Sequence, residues 1–136
     1  MKILIVEDDF TSRILIEKYL SGCGSTDSVG DGEAAVEAFQ RAVEKDEPYD
    51  LVCLDIMLPK MDGQEVLKRI RGLESEYNMT GSRASKIIMT TALGDPRNII
   101  TAFHEQCEGY LTKPIEKKRL IEEITKLGLI KEDPPR

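Results

Sequence analysis

The chain has no long apolar run, only three cysteines, a single histidine and no surplus of basic residues. Each shortage excludes a class of protein. The opening run Ile3-Leu4-Ile5-Val6 is far short of the ~20 residues of a spanning helix, and too short for a signal-peptide core. A cytoplasmic protein without membrane insertion is therefore expected. Cys23, Cys53 and Cys107 are odd in number and widely spaced, so they offer neither a disulfide framework nor a CxxC metal site. Reduced, partly buried thiols are expected. His104 has no ligand partners near it and reads as a surface helix residue. Asp and Glu outnumber Lys and Arg by 25 to 19, for a net charge of −6, whereas a nucleic-acid surface needs Lys and Arg clustered on one face. No nucleic-acid partner is expected.

What is present is a chain of 136 residues with ordinary apolar and charged content, enough to bury one core. It reads as one domain over residues 1–128 and a tail over 129–136 that contains Pro134 and Pro135. Short apolar runs alternate with longer amphipathic segments, the pattern of βα units and of a parallel sheet covered on both faces. Five strands are predicted: Lys2 to Val6, a weak one near Ser25 to Val29, Leu51 to Leu54, Lys86 to Thr90, and Gly109 to Thr112. Five helices between and after them are predicted to lay these residues on the sheet: Ile14, Leu15, Lys18 and Tyr19; Ala35, Val36, Ala38 and Phe39; Val66, Leu67 and Ile70; Ile99, Ile100 and Phe103; Leu120, Ile121, Ile124 and Leu127. Asp95-Pro96 reads as a helix start and Gly128 as a helix stop. Glu74 to Ser85 lacks periodicity and is predicted to be a surface loop. No second apolar block suggests an output domain, so a stand-alone protein that signals to another molecule is expected.

In an open parallel sheet, ligands bind beyond the carboxyl ends of the strands. Here those positions hold Glu7, Asp8 and Asp9 after the first strand, Asp55 after the third, Thr91 after the fourth and Lys113-Pro114 after the fifth. Carboxylates brought close together either hold protons or hold a cation, and an oxygen-only set favours Mg²⁺. A carboxylate can also act as a nucleophile toward phosphorus, with a cation and a lysine screening the phosphoryl oxygens.

These residues resemble the receiver domain of two-component response regulators, most nearly the single-domain, chemotaxis-regulator-like kind. The likeness runs from Lys2 to about Leu127 and rests on Val6-Glu7-Asp8-Asp9, Leu54-Asp55-Ile56-Met57-Leu58-Pro59, Met61-Asp62-Gly63, Met89-Thr90-Thr91-Ala92 and Lys113-Pro114. The resemblance implies a flavodoxin-like, doubly wound five-stranded sheet of order 2-1-3-4-5 with five helices. It implies that Asp55 accepts a phosphoryl group, that Thr91 is the switch hydroxyl, that Lys113 is its cationic partner and that Tyr110 is the aromatic switch. It places Mg²⁺ on Asp8, Asp55 and the backbone carbonyl of Met57, with Glu7 reaching it through water, and it makes the Lys113-Pro114 bond cis. The implied partners are a histidine kinase or histidine phosphotransfer protein and a downstream protein target, with the chain a monomer or weak dimer. The basic start of the last helix, Lys117, Lys118 and Arg119, is a candidate partner surface. The longer 74–85 loop and the bulky Met57 and Leu93 depart from the plainest members of the family and are expected to tune phosphoryl lifetime.

Taken one at a time, these residues have ordinary explanations. An acidic run is usually a solvated loop, Asp55 could cap or turn the chain, Thr91 could end a strand, Lys113 could be solvated and Tyr110 could be an edge aromatic. Asp62-Gly63 is assigned to turn chemistry. The joint placement at four strand ends carries the reading. A flavin or nucleotide binder would set backbone amides, not Glu7, Asp8 and Asp9, against phosphate. An aspartyl phosphohydrolase would need an acid two residues after Asp55, where Met57 stands, so a turnover enzyme is not expected. The remaining alternative is a receiver-like scaffold that binds partners without phosphorylation.

Overall fold

The computed structural model describes residues 1–92 and 107–130. Its elements run β1 (Lys2–Val6), α1 (Phe10–Leu20), β2 (Ser25–Val29), α2 (Gly32–Glu44), β3 (Leu51–Asp55), α3 (Gly63–Glu76), β4 (Lys86–Ala92), β5 (Gly109–Lys113) and α4 (Lys117–Lys126). The predicted helix containing Ile99, Ile100 and Phe103 lies outside the described residues, as do Leu93, Asp95-Pro96 and His104. All five strands are parallel, in the order β2-β1-β3-β4-β5. No helix among the described residues is long and apolar enough to cross a membrane.

Strand alternation divides the interior in two. Leu4, Val6, Val52, Leu54, Ile87 and Met89 pack with Ala35 and Phe39 of α2 and with Val66, Leu67 and Ile70 of α3. Ile3, Ile5, Leu51, Cys53, Ile88 and Leu111 pack on the other face with Ile16 and Leu20 of α1 and with Leu120 and Ile124 of α4. β3 is buried at every residue, which is why it reads as a continuous apolar run. β2 is largely polar because it is the edge strand, paired only with β1. Leu129 and Ile130 pack on the α1/α4 core, so apolar packing continues two residues past Gly128, whose φ of 78° ends α4 as predicted.

Two expectations need correction. In α1 the core face is Ile16 and Leu20, while Ile14 and Leu15 are 45% and 42% exposed. The helix carries two apolar stripes at the same spacing, and periodicity alone does not choose between them. The 74–85 segment is not a surface loop throughout. α3 extends through Glu76, a 3₁₀ turn spans Gly81–Arg83, and Glu74, Met79 and Ser85 are buried.

Its anchor is an ion network at the amino end of the sheet. Arg71 Nη1 donates to Glu74 Oε1 at 2.7 Å and to the Ser85 carbonyl at 2.9 Å, while Nη2 donates to Glu108 Oε1 at 2.9 Å. Glu74 Oε2 accepts from the Ser85 N–H at 2.6 Å, Glu108 Oε1 accepts from the Ile87 N–H at 2.6 Å, and Ser85 Oγ donates to the Tyr49 carbonyl. The segment therefore sits far from the strands' carboxyl ends. Glu74→Gln, which keeps one acceptor but removes the charge facing Arg71, is expected to lower stability by about 1–3 kcal/mol in urea titration. A loss below ~0.5 kcal/mol would mean that the remaining partners of Arg71, among them Glu108 and the Ser85 carbonyl, satisfy it without the Glu74 charge.

Candidate functional site

Asp9, Asp31 and Asp62 each cap the helix that leaves a strand end. Their carboxylates accept from the N–H of Ser12 at 2.8 Å, Ala34 at 2.8 Å and Glu65 at 3.0 Å. The predicted acidic run thus splits: Asp9 caps α1, and the Ser12 N–H holds its carboxyl below the usual range. The turn assignment of Asp62-Gly63 fits this geometry. A Cβ on Gly63 would stand 2.5 Å from the Asp55 carbonyl oxygen, so the loop can close against β3 only with glycine there.

Glu7, Asp8 and Asp55 remain at the rim. One carboxylate oxygen from each lies within 4.8 Å of the others. Asp8 is exposed, whereas Glu7 and Asp55 are 1% and 2% exposed. Lys113 reaches in from the end of β5, with Nζ 2.7 Å from Glu7 Oε1 and 3.0 Å from Asp55 Oδ2. Asp55 Oδ1 accepts from the Met57 N–H at 3.0 Å. Glu7 is tethered on several sides: its N–H donates to Val29 at 3.1 Å, its Oε2 accepts from Asp9 N–H at 3.1 Å, and its carbonyl accepts from Arg13 Nη1 at 3.3 Å. Glu7 Oε1 has no aligned hydrogen bond despite the ion-pair distance to Lys113.

Two buried carboxylates and the exposed Asp8 against one ammonium leave net negative charge at the rim, and protonation of a buried carboxyl relieves it. Burial, reinforced by Asp55, raises the Glu7 carboxyl to about 7, with Lys113 opposing. Burial alone would lower the Lys113 pKa, but the bonds to Glu7 and Asp55 outweigh it and raise the value. Oxygen-only donors and clustered negative charge are what a hard divalent cation requires. The residues therefore fit Mg²⁺.

The structure gathers Glu7, Asp8, Asp55 and Lys113 and puts the Met57 backbone against Asp55. The last three strand-end positions lie inside their strands: Asp55 and Lys113 are the final residues of β3 and β5, and Thr91 is the penultimate residue of β4. Thr91 is fully buried and next to Thr90, the register partner of Asp55, and its Oγ1 is 3.5 Å from the Ala92 carbonyl. Tyr110 is half-buried, in register with Met89 and packed on the α2/α3 core, the face that alternation also gives Thr91. No hydrogen bond or ion pair among the described residues joins either to Asp55. The Lys113-Pro114 bond is cis. The thiols are free; Cys53 is buried, which pushes its pKa up to about 12, and Cys23 and Cys107 are half-buried. Sequence reading missed Arg13, for which no motif exists, and the caps Asp9 and Asp31, which the Asp-to-helix-start pattern would have shown.

An open parallel α/β sheet with carboxylates and a lysine at its carboxyl rim defines an acidic-site α/β domain. The response-regulator receiver-domain family matches residues 3–125, and the chain belongs to that family. It is 32% identical over 134 residues to a probable histidine kinase of Oryza sativa subsp. indica, covering 91% of this chain and 12% of that protein. It is 29% identical to a two-component response regulator of Oryza sativa subsp. japonica, covering 88% of each. Among solved structures it resembles the receiver domain of a sensor histidine kinase from Pseudomonas aeruginosa, described with magnesium coordinated in the active site cleft. That match has 30% identity and a TM-score of 0.72 and covers 92% of this chain and 94% of that one. Receiver domains are signalling modules of two-component systems.

Proposed function

We propose that Asp55 accepts a phosphoryl group, in the presence of Mg²⁺, from a phosphohistidine on a histidine kinase or phosphotransfer protein, and that the modified domain signals to a protein partner. One observation carries this: a nearly buried Asp55 has one oxygen held by Lys113 and the other by the Met57 N–H, inside a cluster with Glu7 and Asp8. An Asp55 oxygen attacks phosphorus, the P–N bond to the donor imidazole breaks, and the imidazole nitrogen keeps the electron pair. Lys113 neutralises charge on the transferred oxygens. Asp8, Asp55 and the Met57 carbonyl would hold Mg²⁺, with Glu7 acting through water, and the bound ion would screen the phosphoryl oxygens from the carboxylates.

A protein donor has an apolar surface to meet at this rim. The exposed large hydrophobic side chains among the described residues are Phe10, Ile14 and Leu15 on α1 and Met57 beside Asp55. The protein acts in the cytoplasm, as a monomer or weak dimer.

The phosphorylated Asp55 draws in the Thr91 hydroxyl and Lys113, favouring a conformation in which Tyr110 is repositioned. Thr91→Ala is expected to leave acetyl-phosphate labelling intact while cutting the phosphorylation-induced amide shift at Tyr110 to about half or less. An unchanged Tyr110 shift would remove Thr91 from the switch. The primary test is the intact mass of the protein after incubation with acetyl phosphate, with and without Mg²⁺. A Mg²⁺-dependent phosphoryl adduct supports the assignment; its absence leaves a donor-specific receiver, which still binds Mg²⁺, or the phosphorylation-independent scaffold, which does not, and a Mg²⁺ titration separates the two.

A further inference from the structure

A second charged site, of the opposite sign, lies along the edge strand β2, from Lys2 at the amino end of the sheet to Val29. Lys2, the first residue of β1, lines a cleft of about 310 Å³ with Asp27 and Val29 of the edge strand β2, Arg41 and Lys45 at the end of α2, and Tyr49. Its one carboxylate is engaged, since Asp27 Oδ2 accepts from the Tyr49 hydroxyl at 2.7 Å. Lys2 is anchored: its Nζ donates to the Glu47 carbonyl at 2.7 Å and lies 4.7 Å above the Tyr49 ring. Neither Arg41 nor Lys45 has an ion-pair partner among the described residues. They stand four residues apart on one helix, where like charges repel. The α2 macrodipole explains cations in the last turn of that helix. It does not account for Lys2, which the Glu47 carbonyl and the Tyr49 ring hold as a third cation in the lining of the same cleft in a chain of net charge −6.

From this convergence we infer that the cleft binds a compact phosphate oxyanion. Its volume is at the small end for ligand cavities. The Tyr49 ring is 4% exposed and covered by Lys2, so no aromatic face is offered to a nucleobase. The apolar wall of Val29, Ala38 and Ala42 is narrow, which leaves charge as the recognition element. The cleft contains none of the rim's charged side chains, although it reaches Val29, whose carbonyl accepts from the Glu7 N–H, and its occupancy does not depend on phosphoryl transfer to Asp55.

The test is a Mg²⁺-free titration of the whole chain with pyrophosphate and, separately, glycerol phosphate at matched ionic strength, followed through backbone amide shifts. Saturable shifts at Lys2, Asp27 to Val29 and Arg41 to Lys45 are expected. They should weaken about tenfold in an Arg41→Gln/Lys45→Gln variant, whose two sites are solvent-exposed. Tighter binding of pyrophosphate identifies a free polyphosphate as the ligand, and tighter binding of glycerol phosphate an organic phosphate. Non-saturating shifts with both anions, shifts elsewhere on the molecule, or equal affinity in the variant would overturn the site.

Discussion

Asp55→Asn is expected to reduce the acetyl-phosphate adduct to the background of an unincubated sample. The change is nearly isosteric, so the Gly63 loop that closes on the Asp55 backbone is undisturbed. What disappears is the nucleophile, because an amide does not form a stable bond to the phosphoryl group under conditions where a carboxylate does. The variant also removes the buried Asp55 carboxylate that faces the Glu7 carboxyl at the rim. It gives up part of the pairing with Lys113 in exchange for less repulsion, so its Mg²⁺-free melting temperature should equal or exceed that of the parent. Two readouts thus separate chemistry from folding. An adduct of undiminished size in a well-folded variant would move the phosphoryl group to another carboxylate, Glu7 and Asp8 being nearest, and end the assignment of Asp55.

The parts of this molecule that were legible in its sequence are those where one local pattern has one physical meaning. Buried parallel strands must be apolar throughout, so β1, β3 and β4 announced themselves, and the residues that follow such strands are brought to one rim by topology alone. Where a pattern has two solutions, the sequence was silent. α1 carries Ile14 and Leu15 on one side and Ile16 and Leu20 on another, and only the position of the sheet decides which pair is buried. The network of Arg71, Glu74 and Glu108 joins residues distant in sequence, and no short-range signal marks a carboxylate as buried. The reading of 74–85 as a surface loop therefore missed its buried anchor. The acidic run shows the same limit at finer scale. Three adjacent carboxylates become a helix cap, an exposed side chain at the rim and a buried group with a displaced pKa, and strand and helix geometry assigns the roles.

The displaced Glu7 group sets the second large effect, on Mg²⁺ affinity. With its carboxyl raised from 4.5 to about 7, metal-free protein carries a proton at the rim below neutrality. A cation that needs the fully charged cluster must displace that proton. One proton released per ion bound makes the dissociation constant rise about tenfold for each pH unit below 7, so moving from pH 7.5 to pH 5.5 should weaken Mg²⁺ by roughly thirtyfold. The stability of the metal-free chain must move in a consistent direction. A carboxyl whose folded value exceeds its unfolded value binds more protons when folded, so its contribution is fully present below 4.5 and is lost as pH rises through 7. Mg²⁺ should therefore raise the melting temperature more at pH 8 than at pH 6, because at pH 8 it meets a charged and self-repelling cluster. Titration of Mg²⁺ at both pH values, repeated with Glu7→Gln, isolates the group responsible: the variant should bind Mg²⁺ with little pH dependence over this range. Equal Mg²⁺ affinities for the parent at pH 6 and pH 8 would show that Glu7 is already ionised in the metal-free domain, and that Lys113 at 2.7 Å outweighs the burial of the carboxylate.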